Sequence, residues 1–216
     1  MKSILNKAQN VVLPISGHKK SYIVNHIYCI GRNYRSHAIE MGEDHRRSPF
    51  VFTKPKWALT NQDVTYPRNT EDLQHEVELV LAMGNKQSIF GYAVGVDLTR
   101  RDIQNKAKSE GKPWFRSKCF AGSAPISGIV PIVNDKDLLD LELKLEVNGT
   151  LRQSGLCGDM IWSPLEIIRE MSNEIPLVKG DLIFTGTPDG VNTLIPGDKI
   201  VASIYSILKI CSNNIC

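Results

Sequence analysis

The class of fold is decided by the stretch Leu141-Glu142-Leu143-Lys144-Leu145-Glu146-Val147-Asn148-Gly149. Its leucines and valine alternate with charged residues, which is the period of a strand with one buried face. Asn148-Gly149 favours a type I′ turn, so the chain is expected to return from Leu151 as the second strand of a hairpin. This segment therefore predicts a sheet.

Other apolar runs add strands, and single helices separate them. Strands are predicted at 27–30, 50–52, 76–81, 91–98, 182–184 and 200–208. Helices are predicted at 33–41, from Thr99 as N-cap to near Gly111, and from Ser163 to about Ser172, where proline and Glu166 complete a capping box. Because strands outnumber helices, the sequence predicts an α+β, sheet-rich class rather than a βαβα succession.

Composition excludes several classes of protein. The chain has 216 residues, 42% of them hydrophobic, and a formal charge of +3. That charge gives no support for nucleic-acid binding, and the apolar runs are far shorter than the ~18 residues of a membrane span. The polar N-terminus and five scattered cysteines without a CxxC pair predict a soluble cytoplasmic protein. We expect a preamble at 1–20 and a single catalytic domain at 21–216.

Three carboxylates are candidate metal ligands. Glu76 and Glu78 share one face of a predicted strand, where two like charges need a positive partner, and Asp97 closes the next apolar strand. A hard divalent cation prefers such oxygen ligands. The alternative is that both glutamates face solvent on an edge strand.

His37 and Glu40 lie three residues apart on a predicted helix, so the carboxylate can orient the imidazole as a general base. An exposed helical ion pair is the alternative. Lys118 lies among aromatic residues, which suits either a partly desolvated lysine facing an oxyanion or a surface lysine. The turn at 185–190 offers hydroxyls and N–H groups for an anion but lacks the lysine of a P-loop.

The order of five motifs is more specific than any one of them. They are Gly31-Arg32-Asn33-Tyr34 with His37 and Glu40, His75-Glu76-Val77-Glu78-Leu79, Val96-Asp97-Leu98-Thr99-Arg100-Arg101-Asp102, Lys118, and Thr185-Gly186-Thr187-Pro188-Asp189-Gly190. This succession, over residues 20–200, resembles the fumarylacetoacetate hydrolase family. It is most similar to the small acylpyruvate hydrolase and oxaloacetate decarboxylase or tautomerase branch.

The resemblance implies a role for each matching position. Glu76, Glu78 and Asp97 match carboxylates that hold Mg²⁺ or Mn²⁺, while His37, Glu40 and Lys118 match catalytic residues. Substrate-binding positions of the family match Arg32, Tyr34, Gln104 and Thr187. The implied fold is a mixed β-roll or barrel-like sheet with peripheral helices, and the implied assembly is a homodimer.

The implied activity is Mg²⁺- or Mn²⁺-dependent hydrolysis of a C–C bond in a β-diketo acid of the acylpyruvate or fumarylacetoacetate type, through a metal-bound enolate. Oxaloacetate decarboxylation, keto–enol tautomerisation and isomerisation of a hydroxylated dienedioate are the alternatives, and a catalytically silent binding protein is another. The small-molecule substrate is a 2-oxo acid. Family members usually have a longer segment with a helix between Gly84 and Gly91, where this chain has only residues 85–90.

Overall fold

A computed structural model describes residues 10–34 and 48–204, together with the backbone of 208–214. The strands of the described residues are β1 Val12–Pro14, β2 Ser21–Ile23, β3 Ile27–Gly31, β4 Phe50–Lys54, β5 Leu59–Thr60, β6 Leu73–His75, β7 Val77–Met83, β8 Ile89–Val96, β9 Thr99–Arg100, β10 Ala124–Pro125, β11 Val130–Pro131, β12 Glu142–Val147, β13 Thr150–Leu156, β14 Leu182–Phe184, β15 Asn192–Leu194, β16 Lys199–Ile204 and β17 Leu208–Asn214. The α-helices of the same described residues are α1 Arg101–Ser109, α2 Phe115–Lys118 and α3 Pro164–Ser172.

A six-stranded sheet forms the centre of the fold, in the order β11-β8-β7-β14-β3-β4. All neighbours are antiparallel except β14 and β3, which run parallel. β7 lies inside this sheet, and all of its residues are buried. Its side chains alternate between two apolar clusters, with Leu79 and Leu81 in one and Val80 and Ala82 in the other. Both faces of the central sheet are therefore covered.

The four-stranded antiparallel sheet β13-β12-β16-β17 covers one of these faces. The buried residues of β12 and β16, such as Leu145 and Ala202, join the same apolar cluster as Leu79. On the other face, the β1-β2 hairpin contributes Leu13 and Tyr22 to the second cluster. This hairpin begins inside the predicted preamble, while the division at residue 20 stays a prediction.

The predicted sheet-rich α+β class is confirmed, although the sheets remain open and none of the described strands closes a barrel. The hairpin turn is present, with positive φ at both Asn148 and Gly149 as a type I′ turn requires. The capping box of Ser163 and Glu166 opens α3. No helix of the described residues has the length and apolarity needed to cross a membrane.

Several strand boundaries differ from the sequence prediction by one or two residues, and two elements differ more clearly. The helix predicted to start at Thr99 has Arg100 as its N-cap, because Thr99 belongs to β9 and its hydroxyl accepts a hydrogen bond from the Lys118 ammonium instead. The predicted strand at 200–208 is two strands, since β16 ends at Ile204 and β17 begins at Leu208. The predicted helix at 33–41 lies almost wholly outside the described residues.

A tight turn joins β7 to β8. Residues Asn85–Gln87 form a single 3₁₀ turn, and the Gly84 N–H donates to the Ser88 carbonyl at 2.7 Å. Lys86 and Gln87 both have positive φ, which reverses the chain within three residues. The connection between β7 and β8 is therefore a short hairpin turn, and at the opposite end of this strand pair Glu76 precedes β7 and Asp97 follows β8.

Candidate metal centre and active site

The β7–β8 ladder brings the three predicted carboxylates together. Val77 pairs with Val96, and one residue beyond this pair the Asp97 N–H donates to the Glu76 carbonyl at 2.8 Å. Glu76 and Asp97 therefore lie opposite each other at the end of the ladder, while Glu78 lies two residues along β7. One oxygen from each of the three carboxylates lies within 4.8 Å of the others.

The burial of these carboxylates excludes the solvent-facing alternative. Glu76 is 7% exposed, Glu78 is 2% and Asp97 is 1%. Glu78 lies on β7, an interior strand between β8 and β14, and Glu76 lies directly before this strand, between β6 and β7. Alternate residues of β7 therefore point to the two faces of the central sheet, and both faces are buried rather than one being exposed to solvent.

Lys118 points into the same cluster from α2. Its ammonium contacts one oxygen each of Glu76, Asp97 and Thr99, all at 2.7 Å. It also lies 5.3 Å from the centroid of the Phe52 ring. The ammonium is therefore buried among acids next to an aromatic face, which excludes the surface-lysine alternative.

Arg101 is a site residue that the sequence analysis treated only as a helix start. Its guanidinium pairs with Glu76 and also donates to Gln104 at 2.6 Å and Gln74 at 2.7 Å. Arg101 and Gln104 are three residues apart on α1, so they occupy one face of that helix. Gln104 is 2% exposed and lines the pocket, and its role in substrate binding stays a prediction.

Lys54 is a second residue that the sequence did not reveal. Its ammonium forms a 2.8 Å ion pair with Asp97, and it donates to the Lys118 carbonyl and to the hydroxyl and carbonyl of Ser123. The side chain is fully buried. A buried ammonium is costly unless it is paired and hydrogen-bonded, and these contacts supply its partners. Through them, Lys54 connects Asp97 to the loop after α2.

The charges divide the two glutamates into different electrostatic environments. Burial alone would raise the pKa of Glu76, but Lys118 and Arg101 outweigh it and hold this pKa well below its ordinary value. Burial raises the pKa of Glu78 well above its ordinary value, and the neighbouring charges of Asp97 and Glu76 raise it further. Although burial opposes it, the acidic pair Asp97 and Glu76 raises the pKa of Lys118. Glu78 is therefore the carboxylate at which burial and like-charge repulsion outweigh the favourable contacts.

This donor set fits a divalent cation. All three ligands offer carboxylate oxygens, which Mg²⁺ and Mn²⁺ prefer, and no sulfur or imidazole ligand joins the cluster among the described residues. A cation held by one oxygen from each acid would also remove the repulsion at Glu78. The triad Glu76, Glu78 and Asp97 can thus hold the predicted metal.

The turn after β14 forms one wall of the pocket. Its Gly186 N–H, which the sequence left available for an anion, instead donates to the Glu78 carboxylate at 2.7 Å. Gly186 has φ of 96°, and a Cβ there would lie 2.7 Å from the Cβ of Asn33. The turn therefore needs glycine at this position, and Thr187 follows directly on the pocket wall.

The mouth of the pocket is cationic. Arg32, with φ of 61°, lines it together with Lys108 and Trp114. The Lys108 ammonium lies 4.8 Å from the centroid of the Trp114 ring, which also packs against Phe50 at 5.0 Å. Burial lowers the pKa of Lys108, as do Arg101 and Arg32. These charges attract an anionic ligand towards the acidic triad.

The structure does not bring all of the predicted site residues together in one pocket. Arg32, Gln104, Lys118 and Thr187 lie around the three carboxylates. Tyr34 is 1% exposed and lies apart from this lining, bridged to Met160 in the apolar core. His37 and Glu40 lie outside the described residues, so the water-activating dyad stays a prediction.

A cavity larger than the acidic pocket lies elsewhere. It has a volume of about 650 Å³ and lies beside the β1-β2 hairpin, with Tyr22 and Phe90 in its lining. None of its lining residues is one of the three carboxylates or Lys118. The chemically equipped site is therefore the smaller pocket at the end of the β7–β8 ladder.

The chain is similar to known proteins over most of its length. The family model for the fumarylacetoacetate (FAA) hydrolase C-terminal region matches residues 26–215. The chain is 38% identical over 195 residues to an oxaloacetate tautomerase of Escherichia coli, covering 84% of this chain and 89% of that protein. A mitochondrial oxaloacetate tautomerase of Homo sapiens is also 38% identical over 195 residues, with 85% and 88% covered. The crystal structure of fumarylpyruvate hydrolase from Pseudomonas aeruginosa in complex with Mn²⁺ and pyruvate superimposes with a TM-score of 0.93 at 34% identity, covering 99% of this chain and 98% of that one.

Proposed function

The chain belongs to the fumarylacetoacetate hydrolase family, and on this premise we propose that it is a Mg²⁺- or Mn²⁺-dependent hydrolase of acylpyruvate-type 2-oxo acids. One observation carries the proposal: Glu76, Glu78 and Asp97 are buried together in a pocket that also contains Lys118. The similarity to a fumarylpyruvate hydrolase over nearly the whole of both chains supports the choice of reaction.

Different residues of the chain would have different roles in this reaction. The acidic triad would hold the cation, which when bound supplies a Lewis acid and a template for the carboxylate and keto oxygens of the substrate. Arg32 and Lys108 would attract the anionic substrate at the mouth of the pocket. Lys118, whose ammonium lies among Glu76, Asp97 and Thr99, would stabilise the negative charge that develops on the departing enolate.

Water addition is assigned to the predicted dyad. His37, oriented by Glu40, would take a proton from water as the oxygen attacks the distal carbonyl carbon. The C–C bond between that carbonyl and the methylene then breaks, and its electron pair becomes the enolate of pyruvate. The enolate takes up a proton, so one water is consumed and a carboxylic acid and pyruvate are released.

Oxaloacetate keto–enol tautomerisation is the second candidate. It is favoured by the 38% identity to oxaloacetate tautomerases of bacterial and mitochondrial origin. The same pocket would serve, because tautomerisation also moves a proton next to a carbonyl whose oxygen gains negative charge. It differs in needing no water attack, and hence no hydrolytic role for His37.

An ultraviolet assay distinguishes these reactions. Purified protein with Mg²⁺ is mixed separately with acetylpyruvate, fumarylpyruvate and enol-oxaloacetate, and EDTA-treated protein is the control. Loss of the diketo absorbance with stoichiometric pyruvate release is expected for the hydrolase. Turnover of enol-oxaloacetate alone would assign the tautomerase, and no metal-dependent turnover of any of the three would refute both.

Assembly and location also enter as proposals. We expect a homodimer, as the family resemblance implies, and a cytoplasmic location, as the scattered cysteines without a CxxC pair predict. Light scattering coupled to size-exclusion chromatography would measure the mass in solution, and a monomer at micromolar concentration would contradict the dimer.

A further inference from the structure

Gln153 is a fully buried amide that connects three parts of the site. It lies on β13 with 1% exposure, and its side chain reaches the start of β7 and the turn after β14. The amide oxygen accepts from the Val77 N–H at 3.1 Å and faces the His75 Nδ1 at 2.8 Å. The amide nitrogen donates to the Thr187 hydroxyl and to the Pro188 carbonyl, each at 2.9 Å.

The network leaves only one orientation for this amide. A backbone N–H can only donate, so the side-chain atom facing Val77 must be the oxygen. A carbonyl can only accept, so the atom facing Pro188 must be the nitrogen. Both amide hydrogens and both oxygen lone pairs then have a partner, and a flipped amide would lose the hydrogen bonds to the Val77 N–H and to the Pro188 carbonyl.

This orientation determines what the Thr187 hydroxyl can do. Its oxygen accepts a hydrogen from Gln153, so its own single proton points elsewhere. Within the described part of the chain, no acceptor for that proton lies within hydrogen-bond distance of the Thr187 hydroxyl. Because Thr187 lines the pocket beside Glu78 and Lys118, the proton is available to an anionic ligand there.

The backbone around Gln153 holds the turn close. A Cβ on Gly155 would lie 2.7 Å from the Pro188 ring, and a Cβ on Gly190 would lie 2.2 Å from the Arg152 carbonyl oxygen. These contacts pack β13 directly against residues 186–190. The distance between Gln153 and Thr187 is therefore set by backbone packing and not only by the hydrogen bond.

We propose that Gln153 is a positioning residue, which orients the Thr187 hydroxyl so that it donates its proton to a carboxylate oxygen of the bound 2-oxo acid. The inference rests on the proposed function for the identity of the ligand. It adds a residue on β13, outside the pocket lining, to the substrate-recognition machinery.

A double-mutant cycle tests the proposal. Gln153→Leu, Thr187→Val and the double variant are compared with wild type for pyruvate affinity by calorimetry in Mg²⁺ and for kcat and KM separately. A hydrogen bond to a charged group corresponds to about a tenfold to hundredfold change, so each single variant should lose that much affinity and kcat/KM. The double variant should be no worse than Thr187→Val by more than about threefold, since Gln153 acts through the hydroxyl.

Two further variants separate positioning from a general structural role. Thr187→Ser keeps the hydroxyl, so Gln153→Leu should again cost about tenfold or more in that background. Gln153→Glu keeps an acceptor for Val77 and His75 but accepts from Thr187, which turns the hydroxyl proton away from the pocket. It should lose at least tenfold in affinity, and it provides the measurement if the leucine variant does not fold. Ser154→Ala, an exposed neighbour on β13, is the matched control and should match wild type.

The outcomes distinguish this inference from the proposed function. Additive losses in the double variant, or wild-type affinity in Gln153→Glu, would overturn the positioning role while leaving the hydrolase assignment intact. Coupled losses in pyruvate affinity without turnover of any diketo acid would support the positioning role and overturn the hydrolase. A wild-type protein that neither binds pyruvate nor turns over any 2-oxo acid would overturn both.

Discussion

Glu78→Gln and Glu76→Gln are expected to shift the stability of the metal-free protein in opposite directions, although both should lose cation affinity. Glu78 lies beside two other carboxylates, and its Oε2 accepts from the Gly186 N–H, a bond that glutamine can keep. Glu76 instead pairs with Lys118 and Arg101. The first substitution removes a repulsion, and the second removes an attraction.

The magnitudes follow from the geometry. Two unit charges 4.8 Å apart repel by about 3.5 kcal/mol at an effective dielectric constant of ~20. Lys118 offsets part of this repulsion, and proton uptake by Glu78, whose pKa is raised by burial and by Asp97 and Glu76, relieves more. We therefore expect Glu78→Gln to gain about 1–3 kcal/mol, or roughly 2–10 °C in Tm. Glu76→Gln should lose about 2–4 kcal/mol, below the full cost of a broken buried pair because Asp97 still holds Lys118.

Calorimetric unfolding in EDTA measures the stabilities, and Mg²⁺ titration of the folded variants measures the affinities. Added Mg²⁺ should raise the Tm of wild type and leave both variants nearly unchanged, because only a folded site with all three acids gains binding energy. A Glu78→Gln protein that is less stable than wild type in EDTA would refute the electrostatic reasoning. Retention of wild-type Mg²⁺ affinity in either variant would refute the ligand assignment.

Two further predictions concern the dyad and the turn. His37→Ala should lower kcat by about 10²–10⁴-fold while leaving Mg²⁺ affinity intact, and an unchanged kcat in steady-state assays would remove His37 from the mechanism. Gly186→Ala should cost about 2–4 kcal/mol, because φ is 96° and the new Cβ would meet Asn33, with reduced Mg²⁺ affinity as the Glu78 contact shifts. Urea unfolding checks the stability, and a wild-type midpoint would contradict the strain.

Local chemistry made several elements predictable from the sequence. The strand at Glu142–Val147 and its type I′ turn follow from alternation and from Asn148-Gly149, and α3 follows from its capping box. The acidic triad was predicted from the order of the family motifs, because the spacing of Glu76 and Glu78 alone left the solvent-facing alternative open. In the hairpin and the helix, neighbours in sequence are neighbours in space, whereas Asp97 reaches the two glutamates only through the pairing of β7 with β8.

Other parts of the site depend on contacts that no local pattern records. Lys54 ends a strand before a proline, as any surface lysine could, and only the approach of Asp97 and the loop at Ser123 makes it a buried partner. Thr99 has the residue type of an N-cap, but its hydroxyl accepts a hydrogen bond from the Lys118 ammonium. The N-cap position is occupied by Arg100 instead. Gln153 is connected to the pocket by its hydrogen bond to Thr187, in a turn more than thirty residues later in the chain.

The stacking of Lys108 on Trp114 gives the protein an intrinsic optical reporter. Indole emission responds to a nearby charge, and this ammonium lies 4.8 Å from the ring at the mouth of the pocket. An incoming anion that draws Lys108 towards itself would change the fluorescence before any bond is broken. With Trp57 and Trp162 replaced by phenylalanine, stopped-flow mixing could time substrate entry separately from turnover.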